Sequence, residues 1–282
     1  MTESMAPKRS GYGRYVRTFY VHALIIMARR QRAILAGALA LFPVVIPLAM
    51  AVVSDSKFAE NGSQVLVRMT EMLYLKAIAP LLALFFACML IGEEVETQTM
   101  PYLLSRPAPR SAMVLGKFLA FVMVSSCILV PSLCLTYAAC TLLGNLAFDA
   151  SGLKLLAHYI GVLIAALGGY GAFCMMLGAL TKRPMIVGIA LIFGWQRLAL
   201  YSPGLVDFFT IEKYINILLP KLATERAKPV VQAALAEFHK KELLIALPQA
   251  IFALIVIYVL MLGLTTLVLR VREYTAARAV GN

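Results

Sequence analysis

Charge is scarce in this 282-residue chain: Asp, Glu, Lys and Arg make up 14% of it, against 61% hydrophobic residues. Soluble domains carry about a quarter charged and close to half apolar residues, so a soluble globular fold is excluded. Acids are the scarcer sign, 14 against 26 bases, leaving a net charge of +12. No carboxylate falls deep inside an apolar run, which leaves a proton relay without its usual parts. The three histidines, His22, His158 and His239, lie in different segments and form no His-Glu-x-x-His pair. Five cysteines, Cys88, Cys127, Cys134, Cys140 and Cys174, all fall in apolar runs without paired short spacing, so they read as small packing residues and not as metal ligands or disulfides. Ser125, Ser126 and Ser132 also lie in an apolar run, where a hydroxyl more often bonds a backbone carbonyl than attacks a substrate. A phosphate-cradling loop is missing as well. The sole Gly-Lys pair, Gly116-Lys117, has Ser111 where such a loop needs glycine, and Phe118 follows the lysine. The chain is therefore expected not to be an enzyme, and any ATP it depends on must be hydrolysed elsewhere.

What the chain does have is apolar runs of bilayer length. A hydrocarbon core needs about 20 helical residues to cross it, and lipid cannot satisfy free backbone amides, so such runs must be helices. Six spans are predicted: 33–53, 72–92, 118–143, 155–180, 184–201 and 243–269, the fifth interrupted by Arg197. The fold class is all-α, a polytopic membrane protein. Its parts are a segment 1–32, a transmembrane domain 33–269 and a tail 270–282, with a connecting loop at 93–117 and a long outer loop at 202–242.

Cations near the span ends set the orientation. The N-terminal segment, the 93–117 loop, Lys182, Arg183 and the tail carry fifteen Lys and Arg, against nine on the other side. Both termini are thus expected in the cytoplasm, with the chain in the plasma (inner) membrane. The positive balance is met by this bias and by anionic headgroups, so a nucleic-acid partner is not required. Ahead of the first span, residues 12–32 mix Tyr15, Phe19, Leu24, Ile25 and Ile26 with Arg14, Arg17, Arg29 and Arg30, the pattern of a helix lying in the membrane interface. A cleaved secretory signal is the rival reading, but the apolar run is too long and its basic leader is too extended. Gly161, Ala165 and Gly169 recur at four-residue spacing, which lets helices approach closely and makes the fourth span a central one. The 202–242 loop, with Phe208, Phe209, Ile211 and Tyr214, is expected to form interfacial helices over the exit of a pathway.

The 93–117 loop is the longest polar interruption in the first half. Met100, Leu103 and Leu104 stand at i, i+3 and i+4, giving one short helical turn an apolar face. Thr97 or Thr99 can cap that turn, Pro101 suits an early helical position, and Pro107 and Pro109 end it. A stiff knob of this kind, flanked by carboxylates and by Arg106 and Arg110, suits the groove of a partner protein. The alternative is an ordinary charged loop, although its adjacent carboxylates contribute nothing to topology.

The run Glu93, Glu96, Thr99, then Leu103, Leu104, Ser105, Arg106 and Pro107, then Arg110, Gly116 and Lys117, resembles the signature loop of type-2 ABC exporter permeases. It is most similar to six-span members without a fused ATPase, such as gliding-motility and nitrous-oxide-reductase maturation permeases. Gln98 departs from the pattern, where a glycine usually precedes the threonine, and so does Pro101 within the turn. The resemblance implies that these eleven residues couple the chain to a separate ATPase subunit, two copies of which, with their ATP and Mg, serve a dimer of permease protomers, here taken as a homodimer. It also implies that the second and fifth spans line the pathway, which nominates Lys76, Trp195, Gln196 and Arg197. The function so implied is ATP-driven export; the alternative is a secondary, ion-coupled transporter or a channel-like protein.

Overall fold

The computed structural model describes residues 11–53, 62–96, 109–143, 149–181, 183–195, 211–219 and 247–271. Every regular element among them is a helix. Helix α1 (Tyr12–Met27) is followed at once by α2 (Arg30–Val53), whose first turn begins with the amides of Arg32 and Ala33 donating to the Arg29 carbonyl, both at 3.0 Å. Helix α3 runs over 62–96 without a break but changes its winding: Thr70–Ile78 and Leu84–Cys88 are π-helical, with α-helical turns before, between and after them. Helix α4 covers Arg110–Leu143 and α5 covers Ala150–Leu180. Asp149 caps α5, its Oδ1 accepting from the Ala150 amide at 2.8 Å. Helix α6 (184–195) opens on Pro184, whose missing amide costs nothing there, and ends in the π-helical segment Ala190–Trp195. Helices α7 (Ile211–Leu218) and α8 (Leu247–Val271) complete the described chain.

Among the described residues, five helices are long and apolar enough to cross a membrane: α2, α3, α4, α5 and α8. The expected fifth span is represented by the shorter apolar helix Pro184–Gly194; Gln196 and Arg197 lie outside the described residues. Helices α3 and α5 form the interior, with 72% and 67% of their apolar windows buried, whereas α2 and α8 bury only 22% and 11% of theirs. The outward faces of α2 and α8, with Phe42, Val45, Phe252 and Val259, remain apolar, which hydrocarbon accepts without cost.

The fourth span is central, and the repeat that suggested it is used only in part. A Cβ added at Gly161 would meet nothing within 4 Å. The close approaches are made at Gly169, where the Tyr258 ring and the Ile211 side chain would lie at 3.2 and 3.0 Å, and at Gly178, where the Cys88 carbonyl would lie at 2.9 Å. Periodicity marks a face; only the neighbours decide which of its small residues are used.

Buried hydroxyls fasten the middle of the bundle. The Tyr74 hydroxyl lies 2.7 Å from both Ser132 Oγ and Thr136 Oγ1, and Ser132 donates to the Ala40 carbonyl. Three helices, α2, α3 and α4, are joined there. Ser132 does bond a carbonyl, as expected of a span serine, but on a neighbouring helix.

Helix α7 stands along α5 and does not lie across its end. Its first residue, Ile211, packs at Gly169, while the carbonyl of Leu218 is 2.7 Å from His158 Nε2. Those two points of α5 are eleven residues apart, about 17 Å of helix. Ile211, Tyr214 and Ile215 are buried, and so is Glu212. Lys213, Asn216, Ile217 and Leu218 are half-buried, while the acid Glu212 is turned inward toward Lys76 of α3.

Candidate functional site

The base of the 93–117 segment is a closely fastened junction. Helix α3 ends in the turns Met89–Glu96, in which Leu90 and Ile91 are buried. Glu94 follows them at i+4 and i+3 and so shares their inward face. Opposite it, Lys117 is fully buried (0% exposed) in the second turn of α4. Its Nζ donates to the Leu90 carbonyl at 2.7 Å and to Glu94 Oε2. A buried ammonium tolerates its loss of water only when a carboxylate and further acceptors surround it, and both conditions are met here.

One residue earlier, Gly116 admits α1. A Cβ there would stand 2.6 Å from the Val16 carbonyl and 3.0 Å from the Tyr20 amide, so only glycine lets the two backbones meet. Tyr12 extends the contact by donating to Ser111 Oγ at 3.3 Å. Arg110 is half-buried and donates through Nη1 to the Leu269 carbonyl at 2.9 Å, in the last turns of α8. A cation at that position also matches the negative end of the helix dipole.

Of the eleven residues read as coupling, the structure thus brings Arg110, Gly116 and Lys117 together at the junction. Glu93 and Glu96 lie in the last turns of α3. Thr99, Leu103, Leu104, Ser105, Arg106 and Pro107 lie outside the described residues. Glu94 was missed by sequence reasoning, although its phase with Leu90 and Ile91 was available as a signal.

The pathway nominees divide in the same way. Trp195 ends α6, and Gln196 and Arg197 lie beyond it, outside the described residues. Lys76 is placed between two carboxylates, 3.0 Å from Glu71 and 3.6 Å from Glu212. It does not need to reach for the membrane surface. Glu71 is five residues before it, a separation that faces away on an α-helix but is neighbouring on the π-helical segment Thr70–Ile78. Glu212 arrives from α7 and is 7% exposed. The Lys76–Glu212 contact therefore ties α3 to α7 in a largely desolvated setting, while Glu71 is more open to water. Lys76→Met and Glu212→Gln should couple by about 1–2 kcal/mol in a double-mutant cycle on thermal unfolding, and Lys76→Met with Glu71→Gln by well under 1. Equal coupling in the two cycles would contradict this ranking.

Residues 28–195 match the family described as ABC-2 family transporter protein, over more than half of the chain. No curated protein matches it. A helical bundle with several membrane-length spans, matched across α2 to α6, defines a multi-pass membrane protein of the transporter class. The chain belongs to the ABC-2 transporter family and is an ABC transporter membrane subunit.

Proposed function

We propose that this chain is a permease subunit that docks a separate ATPase subunit on its 93–110 loop and uses that subunit's ATP hydrolysis to export a substrate. One observation carries the reading: the two ends of the loop are fastened to each other by Lys117, Glu94 and the Leu90 carbonyl. A push on a loop with loose ends would be absorbed by bending. With its base closed by a buried ion pair, and with Arg110 and Gly116 adding α8 and α1, displacement of the loop moves four helices together. ABC chemistry closes two nucleotide sites between two ATPase subunits, so two protomers and two loops are needed. In this arrangement the termini face the cytoplasm of a plasma (inner) membrane, ATP and Mg are bound by the partner, and the substrate passes near Lys76 between protomers.

The ion-coupled alternative would rest on the Glu71–Lys76–Glu212 cluster, since ionisable groups inside a bundle often mark ion paths. ATP turnover separates the two. The purified chain is expected to hydrolyse no ATP, and the complex isolated with its native partner is expected to do so. Turnover by the pure chain, or transport that persists when the partner's ATPase is inactivated, would overturn the proposal.

A further inference from the structure

In the half of the bundle away from the 93–117 loop, α3, α5 and α7 bring together two carboxylates, one ammonium and one phenol. Among the described residues, Lys76 is the one cation within ion-pair distance of either Glu71 or Glu212. Its contact with Glu71 is a hydrogen bond, whereas the 3.6 Å to Glu212 is too long to be one. Glu212 Oε1 is buried and has no hydrogen-bond partner. The Tyr159 hydroxyl on α5 is likewise buried without a partner, and the residue is 0% exposed. Helix register brings it here. Cys88 of α3 donates to the Cys174 carbonyl of α5 at 3.3 Å, and fifteen residues back from that contact along both helices Tyr159 stands level with α3 between Glu71 and Lys76. Its hydroxyl is within the electrostatic reach of Glu71. Side-chain exposure falls from 38% at Glu71 through 21% at Lys76 to 9% at Glu212, so the cluster opens at Glu71 and closes at Tyr159.

The chemistry of these groups selects the occupant. Buried polar atoms are nearly always bonded, and a desolvated carboxylate needs donors or a counter-charge. Two carboxylates against one ammonium leave one negative charge in excess. An anion would be repelled, and an apolar group would leave Glu212 and Tyr159 without partners. A divalent metal ion takes about six oxygens and would be pressed against Lys76. An organic ammonium supplies both things the cluster calls for, one positive charge and N–H donors for Glu212 Oε1 and the Tyr159 oxygen. We propose that this cluster binds the ammonium group of an organic cation, paired with Glu212 and hydrogen-bonded to Tyr159, while Glu71 holds Lys76 aside. Organic cations as the exported substrate class rest on the export reading; the binding site itself does not.

Isothermal titration calorimetry of the purified full chain in phosphatidylcholine nanodiscs tests it, with benzylammonium, benzyl alcohol and benzoate as cationic, neutral and anionic probes of similar shape. Benzylammonium should bind about tenfold or more tighter than benzyl alcohol, the scale of a hydrogen bond to a charged group, and benzoate should give no measurable heat. Glu212→Gln, which removes the charge and keeps the shape, should erase that advantage. Tyr159→Phe should weaken benzylammonium about fivefold, the scale of one neutral hydrogen bond, and keeps the test decisive should Glu212→Gln fail to fold. Asp149→Asn is the matched control. It removes an exposed acid ten positions before Tyr159, asparagine still caps α5, and binding should be unchanged. Equal binding of benzylammonium and benzyl alcohol would overturn the proposal, as would unchanged affinity in Tyr159→Phe and folded Glu212→Gln. Displacement of benzylammonium by an equal concentration of sodium chloride would assign the site to an inorganic cation and overturn it as well. No ATPase takes part in the titration, so its outcome is independent of the ATP-turnover test of export.

Discussion

Lys117→Met is expected to destabilise the folded chain by about 3–5 kcal/mol, the cost of leaving a buried partner charge without its counter-ion. Lys117 is fully enclosed, and its Nζ serves both Glu94 and the Leu90 carbonyl, so methionine removes a charge pair and a hydrogen bond together. The companion variant, Glu94→Gln combined with Lys117→Met, should recover most of the loss, because the charges then leave together and the methionine still fills the space. Thermal unfolding of the purified full chain measures both. A Lys117→Met protein with an unaltered midpoint would show that the pair does not hold α3 to α4. The double variant also separates fastening from docking: it should keep its ATPase partner but transport more slowly, since the loop ends are no longer fixed to each other.

The second large effect is expected in the loop itself. Leu103→Asp with Leu104→Asp should weaken association with the ATPase subunit by about 3 kcal/mol or more, at least a hundredfold in affinity, if both leucines enter a desolvated groove on the partner. Arg106→Ala should cost under about 1 kcal/mol, as rim charges in water contribute little. Co-purification of the partner and transport rate are the measurements. Unchanged association in the double leucine variant at normal expression would return the loop to an ordinary solvated connection and place the ion-coupled reading first.

Class and family were legible in the residues. Runs of some twenty apolar residues have only one stable form in hydrocarbon, so the helices follow from composition alone. The α1–α2 break falls at Arg29, among cations that a span cannot easily bury. Spacing of Glu93, Glu96, Leu103, Leu104 and Arg106 pointed to the transporter class, and the family match over 28–195 includes that loop. The fifth span is the one interrupted by a charge, Arg197, and its described part is also the shortest helix among the apolar candidates described.

Contacts were legible only in part. Lys117 looked like the last residue of a loop because it is charged and precedes an apolar run, yet it begins inside α4 and is buried. Lys76 was nominated without a partner, because Glu71 sits at a five-residue spacing that pairs only where the helix winds as π, and Glu212 comes from a helix 136 positions away. Local pattern therefore determined which segments hold the membrane-length helices and which family they belong to, while the ends of those helices, 62–96 and 110–143 in place of 72–92 and 118–143, were not in it. The partner of each buried charge was decided by tertiary structure, because helix phase, π turns and the depth of α7 are set by packing between segments distant in the chain. A charge surrounded by apolar neighbours can lie only where another element brings its counter-ion.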